Sequence, residues 1–292
     1  MSVINNRKYA LIYIAPAFVI VVLLTLVPIF MVIAMSMSEW TYGQTFNSST
    51  FIGLQNFINL FRSKELLHSL RLTLIFLFTS VTMEFFLGFT IAYFLDRLNM
   101  KVNSLLLGLF MLPMVMMPAM VGTVNRLFFH PRGLVNFFVE SFIGFRVNWY
   151  SAGYALIAVI IAEIWQWTPF FILTTYAGLQ AIPQEPIEAA LVDGAGSTQT
   201  LFLVTLPLLT PVLLVSILIR TMECLRNFDM IFNFFAGGPG NATETLPINI
   251  YRTTIYSRAL GFGSAKGFVL IALMVIGAIV LSKLLIKYSW NE

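Results

Sequence analysis

Six stretches of this chain are each long and apolar enough to cross a lipid bilayer, which restricts the fold more than any other feature. Crossing the hydrocarbon core takes about 20 mostly apolar residues in helical form. The first run, Tyr9–Met37, carries no charged side chain and is entered through Arg7 and Lys8. It is longer than the apolar core of a secretory signal peptide, so it reads as the first span. The others are Leu70–Leu95, Ser104–Phe129, Ala152–Leu179, Leu206–Phe232 and Ser264–Ile286. The chain is 59% hydrophobic and 10% charged, where a soluble domain has roughly 45–50% and 25%. The expected fold is all-α and integral to the membrane, with six transmembrane helices in one domain over residues 1–292.

Several function classes fall away. The net charge of +4 is spread along the chain with no basic run, so nucleic acid is not expected as a partner. Cys224 is the one cysteine and reads as a small apolar residue in a helix. His68 and His130 lie far apart in loops, so no metal site is expected. No GxxxxGK[ST] segment is present; Gly261–Gly267 has glycines and Lys266 at the wrong spacing. No Ser-His-Asp set is visible. The chain is read as carrying no catalytic residue, no metal and no cofactor of its own.

Alternation of the spans puts both termini, the turn Asp96–Asn103 and residues 183–205 on one side. The loops 38–69, 130–151 and 233–263 share the other. Positive residues favour the cytoplasm. Here Arg7, Lys8, Arg97, Lys101, Lys283 and Lys287 nearly balance Arg62, Lys64, Arg71, Arg132, Arg146, Arg252 and Arg258. The pairs flanking short segments weigh slightly toward cytoplasmic termini.

Residues 183–211, PQEPIEAALVDGAGSTQTLFLVTLPLLTP, form a polar, acidic and helix-forming island. Pro186 suits a first turn. Ile187, Ala190 and Leu191 share one helical face, Gly194 and Gly196 allow a stop and a turn, and Ser197 can cap a second helix. Leu201, Phe202 and Thr205 then lead to Pro207 and the fifth span. The segment reads either as an amphipathic hairpin on the lipid surface or as a docking element for a protein. Interfacial helices normally present Lys or Arg to anionic lipid, whereas this one presents Glu185, Glu188 and Asp193. Protein docking is the better physical reading.

The motif Glu188-Ala189-Ala190, then Asp193-Gly194-Ala195, then Leu206-Pro207 and Pro211, resembles the EAA motif of permease subunits in binding-protein-dependent ABC importers. Glu163–Phe170 (EIWQWTPF), Asn227–Ile231, Gly237–Glu244, Ile250–Arg252 and Phe51–Phe57 are similar to the sugar-importer branch, in the subunit type of the maltose and glycerol-phosphate systems. The short first external loop lacks the extra domain of the maltose permease. The resemblance implies a type I permease core in the bacterial inner membrane, with both termini cytoplasmic and a coupling hairpin at 183–205. Glu188, Ala189, Ala190, Asp193 and Gly194 would then seat the hairpin on an ATPase subunit. It further implies a second homologous permease, two ATPase subunits holding ATP and Mg, an external solute-binding protein and a sugar-type substrate. Import would proceed by alternating access.

Ionisable groups at membrane depth are costly and mark a pathway or a pair. Ser216, Arg220, Glu223 and Asn227 fall on one helical stripe. Arg220 and Glu223 can pair within the helix, and the stripe reads equally as a polar cavity wall or as a structural ion pair. In span four, Glu163, Gln166, Trp167 and Phe170 share a face suited to the apolar faces and hydroxyl rims of sugars. Trp165 and Trp167 lie deep enough to be pathway candidates, whereas Trp149, Tyr150 and Tyr154 read as an interfacial belt. Glu84 shares a stripe with Ser80 and Gly88, which fits a helix–helix hydrogen bond beside a close-packing glycine. The alternatives are an ion-coupled transporter using Glu84, Glu163, Arg220 and Glu223 as a relay, and a membrane scaffold that anchors a soluble partner.

Overall fold

Long apolar helices form the framework of the described chain, because lipid leaves backbone groups no partner outside their own helix. The computed structural model describes residues 7–45, 50–98 and 100–289. The terminal residues 1–6 and 290–292, Asn99 in the expected Asp96–Asn103 turn, and residues 46–49 in the first long loop lie outside them. Two compact units are present: the described residues of Met1–Leu67 with Ile250–Ile271, and those of His68–Asn249 with Ala272–Glu292.

The first unit contains α1 (Arg7–Ser36), a two-stranded antiparallel ribbon of β1 (Ser38–Glu39) and β2 (Thr50–Phe51), and α2 (Gln55–Arg62). Helix α1 is apolar all round and none of its most apolar stretch is buried, the signature of a helix solvated by lipid. Buried Asn56 donates its Nδ2 to the carbonyls of Ser36 and Ser38, closing the turn that follows α1. Lys266 in the same unit is buried and donates to Thr253 Oγ1 at 2.6 Å.

The second unit is built on α3 (Lys64–Leu95), α8 (Ala155–Ala181) and the helix that ends in α11 (Leu206–Leu225). Its core gathers Phe76, Phe171, Met230, Ile231 and Phe234, each at most 1% exposed. At Gly88 a Cβ would lie 2.4 Å from Phe171 Cβ. The missing side chain therefore lets α3 and α8 approach each other one turn beyond Glu84.

Between these helices the third expected span, Ser104–Phe129, is not one straight helix. It divides into α4 (Met100–Phe110), α5 (Leu112–Val115) and α6 (Pro118–Phe128), with a 92° bend between Asn103–Val115 and Pro118–Phe128. Proline disfavours the helical region for its predecessor, and Met116 and Met117 are both extended (ψ 139° and 137°). The apolar pattern runs through the break because both halves remain apolar; only Pro118 betrays it.

The fifth expected span, Leu206–Phe232, also differs. Its helix begins earlier, at α10 (Ser197–Thr200), widens into a π-helical turn at Leu201–Thr205 and ends at Leu225. Pro207 has no N–H to give to the preceding turn, and a wide turn accommodates that loss. Residues 229–235 form a separate helix, α12 (Asp229–Phe235). Helices α13 (Leu246–Tyr251) and α14 (Leu260–Ser289) follow.

Loop 130–151, expected as a plain connection, carries a helix, α7 (Leu134–Ile143), too short to cross a bilayer. It is pinned by Asn136, which is 1% exposed. Asn136 Nδ2 donates to the carbonyls of Pro131 and Val147, while its Oδ1 accepts from the Val147 N–H and from Trp149 Nε1. Trp149, read from sequence as part of an interfacial belt, is thus hydrogen-bonded into the loop and packs edge-on against Phe129 at 5.3 Å. Asn136→Ala strips partners from buried groups and is expected to cost about 1–3 kcal/mol. Thermal unfolding of the purified protein in detergent checks this; an unchanged midpoint counts against it.

Candidate functional site

One guanidinium and two carboxylates from three different helices meet in the interior of the second unit. Arg220 of α11 donates Nε to Glu84 Oε2 (2.8 Å) and Nη2 to Glu84 Oε1 (3.0 Å), a two-point contact with α3. The same Nη2 reaches Glu163 Oε1 of α8 at 2.8 Å. Asn227 Nδ2 donates to the other Glu163 oxygen at 2.7 Å, and the Trp167 ring lies 4.4 Å from the guanidinium carbon. Arg220, Glu84 and Glu163 are at most 1% exposed. The planar fork of arginine fits such bidentate pairing, and buried charges persist only when paired and hydrogen-bonded.

The within-helix pair Arg220–Glu223 does not form. Arg220 turns inward to two desolvated carboxylates, where attraction is least screened by water. Glu223, partly exposed, is held instead by Arg226. Ser216, on the same stripe, bonds the Val212 carbonyl of its own helix. Glu84 does make a helix–helix contact beside Gly88, as its stripe implies, whereas buried Ser80 Oγ makes no hydrogen bond.

A cavity of about 340 Å³ opens against this network. Its wall brings together Glu163, Trp167, Arg220, Glu223 and Asn227, and adds Arg226, Phe228, Asp229 and Pro118. Pro118, at the break of span three, places the start of α6 against the cavity. Gln166 lies behind the wall: fully buried, it donates Nε2 to the Met116 carbonyl at 3.1 Å and braces the same break. Trp165 faces away from the network and is 45% exposed. Arg226, Asp229 and Pro118 were not among the residues expected in the pathway, because they sit past a helix end or at a helix start, where no stripe groups them with Arg220 and Asn227.

At the other end of α8 the acidic island folds as two helices. Helix α9 (Gln184–Val192) closes on Gly194, whose φ of +83° is the left-handed conformation glycine adopts without strain. The Ala195 N–H bonds Ala190 O and the Gly194 N–H bonds Leu191 O, the two hydrogen bonds of a Schellman motif. The second helix is capped differently from the sequence reading. Gly196 is the capping residue, Ser197 is already helical, and Gln199 Oε1 reaches back to accept the Gly196 N–H at 3.0 Å. Gln199 thus makes the reach-back half of a capping box, and the glycine at the cap has no side chain to make the other half. Ile187 packs on Leu179, Ile182, Leu209 and Leu213, which fixes the hairpin to α8 and α11. Its outer side is exposed: Glu188, Ala189, Asp193 and Gly194 are open, Ala190 half-buried, and Val192 and Leu203 are 87% and 74% exposed. From Glu163 to Ala181 α8 climbs about 27 Å, so the cavity and the hairpin occupy opposite parts of the bundle.

Residues 9–289 match the family described as binding-protein-dependent transport system inner membrane component. The chain is 34% identical over 271 residues to the trehalose/maltose transport system permease protein MalF of Thermococcus litoralis, covering 89% of this chain and 90% of that one. It is 36% identical over 240 residues to a probable ABC transporter permease, y4oQ, of Sinorhizobium fredii, covering 82% and 77%. With the sulfoquinovosyl glycerol permease SmoG of Agrobacterium fabrum it shares 30% identity over 273 residues, covering 92% and 88%. Among solved structures, a chain of a bacterial ABC transporter that imports the acidic polysaccharide alginate superposes with a TM-score of 0.81 at 20% identity, covering 96% of both chains. The MetNI methionine transporter gives 0.55 at 16%, covering 80% and 98%. The family match and the apolar spans agree: this chain belongs to the inner-membrane components of binding-protein-dependent transport systems, as a multi-pass permease subunit.

Proposed function

We propose that this permease forms one half of an ATP-driven importer for a sugar or sugar derivative, with its transmembrane domain across residues 1–292. The observation that carries the reading is the cavity at the broken third span, walled by Trp167, Asn227, Glu223 and the buried Arg220 network. An aromatic face beside carboxylates and an amide suits a solute with apolar C–H faces and a hydroxyl rim. Relatives support it through their names, which specify trehalose/maltose, multiple sugars, sn-glycerol 3-phosphate and sulfoquinovosyl glycerol as solutes. A second, homologous permease supplies the other half, and an external binding protein delivers the solute.

The hairpin at 183–205 faces the cytoplasm, as do both termini, and docks on one of two ATPase subunits that bind ATP and Mg. Glu188, Ala189, Ala190, Asp193 and Gly194 form its contact surface, supported by their exposure and by the absence of any lysine or arginine from the hairpin. ATPase closure opens the permease pair outward, and hydrolysis releases it inward.

The discriminating experiment is reconstitution. Sugar uptake into proteoliposomes is expected to require ATP, an ATPase, a second permease and the binding protein. Uptake by this chain alone under a proton or sodium gradient would instead establish an ion-coupled transporter. An ATPase rate indifferent to solute and binding protein would leave only a scaffold. Within the cavity, Trp167→Leu removes the aromatic face offered to the solute, worth on the order of 1.5 kcal/mol. It is expected to lower the transport rate at limiting solute roughly tenfold or more, while Trp165→Leu leaves that rate unchanged. Equal losses in both variants would remove Trp167 from the path.

A further inference from the structure

The charges around the cavity narrow the class of sugar. We propose that this half of the path admits uncharged polyhydroxyl solutes and excludes anionic ones, an inference that rests on the cavity being the solute path. Both guanidiniums in the wall are already committed. Arg220 lies between Glu84 and Glu163, at 2.8 Å from each. Arg226 is engaged by Glu223. The wall itself carries the carboxylates of Glu163, Glu223 and Asp229 against the guanidiniums of Arg220 and Arg226, and Glu84 stands directly behind Arg220. Each guanidinium is matched by a carboxylate, and the exposed Asp229 carboxylate has no ion-pair partner among the described residues, so the solute-facing side of the wall carries net negative charge.

A phosphate, sulfonate or uronate entering here meets a like-signed field, and low-dielectric walls concentrate such a field. To bind tightly it would have to displace a carboxylate from an arginine and leave that carboxylate unpaired. A neutral sugar has no such conflict. Its hydroxyls donate to the exposed Asp229 carboxylate and to Glu223, and its C–H face lies on the half-buried Trp167 indole. The same groups that repel an anion are strong acceptors for a hydroxyl.

The test uses the assembled importer, both permeases with their ATPase subunits, in detergent and without the binding protein, so that only the path is sampled. Equilibrium binding is measured for size-matched pairs: glucose with glucuronate, and maltotriose with trigalacturonate. The neutral member of each pair is expected to bind at least about tenfold more tightly at low salt. Raising ionic strength from about 0.05 to 0.5 M should narrow that ratio through the anionic member alone, because exposed-charge repulsion is screened. Combining Glu223→Gln with Asp229→Asn frees Arg226 and removes two carboxylates, and should also narrow it. Should that variant not assemble, the salt series on the unmodified protein decides. Uronates binding as tightly as their neutral partners overturn the charge rule while leaving the path intact. Binding of no sugar of either kind overturns the cavity as the path, and the charge rule with it.

Discussion

Arg220→Ala is expected to give the largest loss of stability of any single substitution in this protein. The alanine leaves Glu84 and Glu163 facing each other in the bundle interior, both fully buried and without a counter-charge. Removing one partner of a buried ion pair costs about 3–5 kcal/mol, mostly as the penalty on the charge left behind. Thermal unfolding in detergent should fall by roughly 6 °C or more, with loss of assembly into the importer. An unfolding midpoint within about a degree of the unmodified protein would show that the network contributes little. A companion separates structure from transport. Replacing all three residues together, Glu84→Gln, Glu163→Gln and Arg220→Met, removes every charge and should recover most of the stability. If the cavity is the solute path, that variant still transports poorly, because the guanidinium stacked on Trp167 and the charge of Glu163 in the wall are gone.

The second large effect is expected at the hairpin and is one of coupling. Gly194 adopts a φ of +83° and gives its N–H to Leu191 O. Proline is restricted to φ near −65° and has no N–H, so Gly194→Pro removes both the turn and the hydrogen bond. The spans lie apart from this turn and should remain folded, so the variant inserts normally. Glu188→Lys leaves the turn intact and reverses an exposed charge on the surface offered to the ATPase. Central contacts of an interface carry about 2 kcal/mol or more each, so each variant should weaken ATPase association roughly thirtyfold or more. Co-purification of the ATPase subunit and solute-stimulated ATP hydrolysis report the effect. Normal association of both variants would assign docking to another segment.

These two sites were not equally legible. The hairpin's stop at Gly194 could be read directly, because a glycine after an apolar-periodic run has few other uses. Its cap could not: Ser197 is the better residue type for the position, yet Gly196 holds the cap and Gln199 reaches back to its N–H. The bend in span three left a trace at Pro118, but two apolar halves in succession look like one span.

Arg220 shows where reading along the chain stops. Spacing offered Glu223 as its partner, three residues away on the same helix. The folded bundle offered Glu84, 136 residues away, and Glu163, 57 residues away, both stripped of water. An ion pair is worth more where solvent cannot screen it, so the distant pair won. Glu223 was left to Arg226, and Gln166 and Trp165, neighbours of Trp167 in sequence, were turned to the span-three break and to the outside of the unit.

The sequence by itself determined the membrane class, the number of apolar runs, the acidic hairpin and the list of polar residues that a bilayer would have to accommodate. Each of these is local: an uninterrupted apolar run, a helical period or a glycine at a turn acts over one or two helical turns. The tertiary structure decided which of those polar residues meet, which of them line the cavity, and which aromatic ring faces it. Those outcomes depend on which helices lie side by side and on how completely they exclude water, and no spacing within a single helix encodes either.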